Sequence, residues 1–227
     1  MERNPFLEQL LSRYPEHQGF WLDEGKLGRD KEAFLCRVLS LFENPELFAP
    51  EDFSSFQPEL LVDYIRKTHQ MYLSKRIPEM EQQLLLLKYD AETSAFYALF
   101  QLFKVAFYKH ITAEETQFLP YLDRLVQAGK ESRGLSSFLL QENSFRMADF
   151  VHHDQAENPL CRLVKDWNAL SDTKLNESPG RILTLQLEMF EKDLHVHDLI
   201  EDKVLIPLAC DLEDAITHRL TLLSDFN

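Results

Sequence analysis

The sequence predicts an all-α protein, an up-down-up-down four-helix bundle with a small helical N-terminal appendage. Three observations lead there. Only 6 glycines occur among 227 residues, and long stretches run without turn residues. Beyond about residue 57, apolar residues recur at spacings of three and four, the period of an amphipathic helix. That region divides into four long periodic segments joined by short connections, the pattern of an antiparallel bundle.

Residues 1–56 read as the appendage, with short helices over 6–14 and 31–42 punctuated by Pro15, Gly19, Gly25, Gly28, Pro45 and Pro50. Residues 57–227 read as the bundle. Pro58 suits the first turn of a helix, and Leu61, Ile65, Thr68 and Tyr72 then share one face. Pro78 interrupts this helix, though apolar residues continue to Leu87. Asp90 is a good N-cap for the second helix, with Thr93 three residues on; it runs through Leu99, Phe103 and Phe107 to about 125. Gly129 and Gly134 mark the next connection. A third helix covers about 135–170, with Pro159 expected to kink or break it. Ser178-Pro179 open a fourth, from about 180 to 222.

A net charge of -14 repels nucleic acid and anionic lipid, so neither is an expected partner. Cys36, Cys161 and Cys210 are far apart and include no C-x-x-C pair, which supports neither a zinc ribbon nor a disulfide framework. The N-terminus has no apolar secretory core, and no run of 18 apolar residues occurs; a reducing cytoplasm is the expected location.

Two segments share one layout: His110-Ile-Thr-Ala-Glu114-Glu115-Thr-Gln-Phe118-Leu119-Pro120 and His197-Asp-Leu-Ile-Glu201-Asp202-Lys-Val-Leu205-Ile206-Pro207. Both read H-x-x-x-E-acidic-x-x-apolar-apolar-Pro, one in the second long helix and one in the fourth, as in a duplicated helical hairpin. Residues i and i+4 lie one turn apart on one face, roughly 6 Å between their side-chain bases, so a His and a Glu so placed reach one metal. The pairs are embedded in apolar stripes: Leu99, Phe103, Phe107, His110, Glu114 and Tyr121 in one helix; Phe190, Leu194, His197, Glu201, Val204 and Leu208 in the other. A glutamate buried in such a seam costs several kcal/mol without compensation, and no core lysine or arginine is evident at these levels. A divalent metal is the economical partner.

The other two helices then supply the remaining ligands: His69 from the first, and His153 from the third in preference to its neighbour His152, with Glu157 one turn further on. The candidate metal ligands are His69, His110, Glu114, His153, His197 and Glu201. Four imidazoles and two bridging carboxylates suit two first-row metals, iron, manganese or zinc rather than calcium or magnesium. His195 should face outward, Glu115 and Asp202 should face solvent, and His17 and His218 read as surface residues. Tyr72, Tyr108 and Tyr121 lie near the site and read as core residues with hydrogen-bonded hydroxyls.

These residues resemble the hemerythrin-like, or HHE cation-binding, family, and within it the repair-of-iron-centres proteins. The resemblance covers about 58–212. It rests on the two repeated segments, on His69 within Asp63-Tyr-Ile-Arg-Lys-Thr-His69, and on His153-Asp154-Gln-Ala156. It implies a non-haem, oxo- or hydroxo-bridged di-iron centre in a cytoplasmic protein. Such a protein would store or donate iron for repair of iron-sulfur clusters under nitrosative or oxidative stress. The alternative it implies is a sensor or carrier of oxygen or nitric oxide using the same irons. Iron-sulfur proteins would be the recipients; an enzyme ranks lower. One departure concerns the appendage: the family's Cys-Cys-Gly-Gly motif is absent, and residues 21–26 stand in that region.

Overall fold

Proline placement and apolar spacing set out the helices, and the computed structural model describes them over residues 5–14, 17, 28–130, 147 and 159–224. No strand occurs among the described residues. Helices α1 (Pro5–Arg13) and α2 (Arg29–Leu41) pack on each other and bury Leu7, Leu10 and Leu11 with Phe34, Leu35 and Val38. Two 3-10 turns, Pro45–Leu47 and Pro50–Asp52, lead to α3 (Pro58–Met71) and α4 (Ile77–Leu86). Then come α5 (Ala91–Ala113), α6 (Leu119–Lys130), α7 (Pro159–Asn168), the short α8 (Asp172–Asn176), α9 (Ser178–Ile200) and α10 (Ile206–Ser224). None of the described helices is long and apolar enough to cross a membrane.

The start signals act as expected. Pro58 and Pro179 stand in the first turns of α3 and α9. Asp90 and Thr93 form a reciprocal capping box on α5, each side chain taking the other's backbone N–H at 3.0 Å. Lys174 binds the same Asp90 carboxylate at 2.6 Å, and with Thr93 it holds that carboxyl at about 2. Gly180 is required by contact: a Cβ there would run into the carbonyl oxygen of Lys174 where α8 meets α9. The described part of α7 begins at Pro159, and the helix expected ahead of it lies outside the described residues.

Pro78 does not stop its helix. Three π-helical turns, Tyr72–Arg76, Glu114–Phe118 and Glu201–Leu205, join α3 to α4, α5 to α6 and α9 to α10. In each, the residue after the turn donates its N–H five residues back: Ile77 to Tyr72, Leu119 to Glu114, Ile206 to Glu201. A proline follows every time: Pro78, Pro120 and Pro207. Proline has no N–H, and its ring collides with the carbonyl four residues earlier. One extra residue widens the turn and lets the helix pass the proline instead of ending.

That extra residue also moves the inward face. In the fourth long segment the stripe expected through Val204 and Leu208 is only half-buried; Leu205 and Ala209 are buried instead. In α5 the buried row is Phe96, Phe100, Phe103, Phe107 and Ile111, so Leu99 and His110 lie outside it. The large rings at 96 and 100 take the interior, which turns Leu99 outward.

Two apolar clusters result. One gathers the appendage with α3, α6 and the last segment, through Leu7, Phe34, Tyr64, Ile65, Phe118, Leu122, Ile200 and Leu205. The other joins α4, α5, α7 and α9 through Tyr72, Met80, Phe100, Phe107, Trp167 and Phe190. His69, Glu114 and His197 fall in sequence at the boundary between the two, a polar layer between apolar ones.

Candidate metal centre

His69 lies in the last turn of α3, Glu114 opens the second π turn, and His197 and Glu201 flank the start of the third. All four are buried, Glu114 to 1 % exposure. Ligand atoms of His69, Glu114 and His197 lie within 4.8 Å of one another, a group that could hold a metal ion. His69 Nε2 is 3.0 Å from Glu114 Oε2, and His197 Nε2 is 3.2 Å from Glu201 Oε2. His110 Nε2 reaches Glu114 Oε1 at 2.7 Å from the rim, its side chain 41 % exposed. His153, with the alternative His152 and with Glu157, lies outside the described residues.

The imidazole tautomers follow from their outer partners. The Thr68 hydroxyl donates to the carbonyls of Ile65 at 2.8 Å and Tyr64 at 3.2 Å, so toward His197 it can only accept. It stands 2.8 Å from His197 Nδ1, which therefore carries the proton. Nε2 of His197 is left as a lone pair facing a Glu201 oxygen. His69 Nδ1 donates to Glu115 Oε1 at 2.7 Å, and its Nε2 faces Glu114, where a metal would compete with a proton. Imidazoles that ligate metals are oriented in this way, by a partner on the far nitrogen.

The buried polar atoms are poorly served by one another. His69 Nε2 and both Glu114 oxygens make no well-aligned hydrogen bond, although charged neighbours stand within reach. Burial pushes the Glu114 carboxyl up, but the close His110 and His69 outweigh it and hold it at about 2. Burial pushes His69 down, yet Glu114 and Glu115 beside it leave it raised. Burial, with His69 close by, lowers His197 to about 3, so that ring is neutral at physiological pH. An ionised carboxylate and a neutral imidazole nitrogen thus share a buried interior, with His69 and His110 as the close partners of the carboxylate.

The one buried guanidinium among the described residues, that of Arg76, is paired with Asp193. Arg76 gives Nε and Nη2 to Asp193 Oδ2 at 3.1 and 2.5 Å. His17 binds the other oxygen of Asp193 at 3.0 Å and is 1 % exposed. The surface reading of His17 is thereby corrected: the aromatic rings of Tyr14 and Phe42 enclose it, and Asp193 supplies its partner. Glu115 is corrected too, since it grips His69 rather than only facing water. His195, His218 and Asp202 are exposed, as the spacing indicates. Tyr121 donates to Glu213 and Tyr108 to the Leu73 carbonyl, whereas the buried Tyr72 hydroxyl has no hydrogen bond among the described residues. Neither Thr68 nor the Glu115 contact carries a sequence signal, because each arises from packing between helices distant in the chain.

Comparison with protein-family models, with curated proteins and with solved structures finds no match for this chain. The fold and the site therefore define its class: an all-helical protein with a buried histidine–glutamate cluster that could hold a metal ion.

Proposed function

We propose that this chain is a hemerythrin-like four-helix bundle holding two irons. His69, His110, Glu114, His153, His197 and Glu201 would be the ligands, with Glu114 and Glu201 between the metals. Its role in this reading is to keep iron labile for rebuilding iron-sulfur clusters under nitrosative or oxidative stress. The supporting observation is the pair of buried Nε2 atoms, on His69 and His197, facing buried glutamate oxygens at 3.0 and 3.2 Å. The neutral His197 Nε2 is an acceptor facing an acceptor, a repulsion that a cation between them turns into coordination; at His69 the cation would take the place of a proton. The imidazole and carboxylate donors favour iron, manganese or zinc; iron would supply redox chemistry. The half-exposed His110 supports lability, since it gives one edge of the cluster access to water.

Elemental analysis of freshly purified protein tests the reading. Two irons per chain are expected, and a Glu114→Ala, Glu201→Ala double variant should purify with almost none. Metal-free wild-type protein that also refuses added iron, manganese and zinc would end it.

A gas-binding role draws on a second observation, the apolar surface around His197, where the Tyr72 ring centre is 5.7 Å from the imidazole and Phe107 and Phe190 pack behind. The ultraviolet-visible spectrum of reduced protein separates the two roles. A stable band reversed by removing oxygen favours gas binding; bleaching with iron release favours donation.

A further inference from the structure

Helix α5 is apolar on its outer side as well as its inner one. Ala95, Leu99, Leu102 and Ala106 are exposed there, Leu102 to 69 %, and Val105, also at 69 %, lies beside them. With Glu92 and Lys109, both exposed, they form a row spaced 3, 4, 3, 4, 3 along the helix. This is the a/d period of a helix seam made for another helix. A helix apolar on all sides belongs in an interior, yet here half its surface faces water.

The row is also symmetric about a point between Phe100 and Gln101. Outward from that point it reads leucine–alanine–glutamate in one direction and leucine–alanine–lysine in the other. We infer that the outer face of α5 pairs with the same face of a second copy, antiparallel about a two-fold axis. That register sets Leu99 against Leu102 of the second copy, Ala95 against its Ala106, and Glu92 against its Lys109. The central leucines make an apolar contact, the alanines let the backbones approach, and opposite charges meet at both ends. A parallel pairing would put Glu92 on Glu92 and Lys109 on Lys109, which like-charge repulsion disfavours.

The charges around the strip fit this occupant. A chain of net charge -14 repels its own copies over most of its surface. Between Glu92 and Lys109 the only charged residue of α5 is Lys104, which is paired with Glu81 at 2.6 Å. Glu92 is held at the edge of the row by the Ser171 hydroxyl at 2.8 Å. The exposed Leu85 and Leu86, at the end of α4, and Tyr89, in the α4–α5 connection, precede Ala91 and add apolar surface. A stable interface buries about 800 Å² on each partner, more than a single-helix strip supplies, so a weak, concentration-dependent dimer is expected.

Light scattering across a concentration series, with the full chain, tests this. The wild-type chain should move from one to two chain masses as concentration rises, and a Leu102→Lys variant of unchanged circular dichroism should stay at one. Lys109→Glu should weaken association at least tenfold, and adding Glu92→Lys in the same chain should restore it. A wild-type chain that remains monomeric throughout overturns the proposal. Dimers unmoved by Leu102→Lys, or a charge swap that fails to restore them, overturn the face or the register.

Discussion

Thr68 Oγ1 lies 2.8 Å from His197 Nδ1, joining residues 129 positions apart through a hydroxyl whose own proton is committed to the backbone of α3. A side chain with no charge thereby decides which nitrogen of the central histidine is available. Thr68→Val keeps shape and removes the acceptor. Metal affinity is expected to fall about 10- to 100-fold, the usual cost of losing such an outer partner. Helicity should stay unchanged, since the carbonyls that the hydroxyl meets belong to the backbone ladder of α3, which a valine leaves in place. Calorimetric metal titration checks this; unaltered affinity would remove Thr68 from the site.

Metal uptake should respond to pH through His69. Burial opposes its charge, but Glu114 and Glu115 prevail and raise it above 6.5. A metal at Nε2 must displace that proton, so affinity falls by up to about tenfold per unit as pH drops below the raised value. The break should come above 6.5, while His197, held at about 3, adds nothing in this range. The metal-free protein behaves oppositely. A raised histidine stabilises the fold below its unfolded value of 6.5, and that contribution disappears as pH rises through the folded value. Titrations and thermal melts over about two units either side of neutrality measure both slopes.

Asp193 carries a separate load. It is the buried counter-charge of Arg76 and the partner of His17, the contact by which the N-terminal region meets α9. Asp193→Ala removes the carboxylate that pairs with a buried guanidinium, an expected loss of about 3–5 kcal/mol in urea unfolding. Adding Arg76→Met should recover part of that loss, because the buried positive charge is gone as well.

Phe190 is fully buried, with ring centres of Tyr72 at 5.1 Å, Phe107 at 5.5 Å and Phe103 at 6.3 Å. Phe190→Ala should cost about 3–5 kcal/mol, through lost transfer energy and the cavity left behind. Phe190→Leu should cost less than half as much. Denaturant midpoints at constant slope would separate cavity formation from a change of fold.

Much of this architecture was legible in the chain. Pro58, the Asp90–Thr93 box and Ser178-Pro179 mark helix starts with local chemistry, and local chemistry is what a sequence states openly. The His–Glu spacing placed His197 with Glu201 and His110 with Glu114 on shared faces for the same reason. The exact inward faces were less legible. A period of 3.6 carried past Pro120 and Pro207 takes no account of an inserted residue, so Val204 and Leu208 were expected where Leu205 and Ala209 lie. His17, Thr68 and Glu115 were misread or overlooked because their partners stand 176, 129 and 46 residues away. Only three-dimensional packing brings such groups together.

The three widened turns make this protein more sensitive to length than to spelling. Substituting a surface position inside them, such as Gln117 or Lys203, changes little, because those side chains face water. Deleting one residue there would close the turn into ordinary helix and rotate everything beyond it by about 100°. Leu122 and Leu125, or Leu205 and Ala209, would swing out of the interior together. Frame-preserving losses of one codon at 114–118 or 201–205 should therefore be far more damaging than any single exchange of residues at the same exposed places.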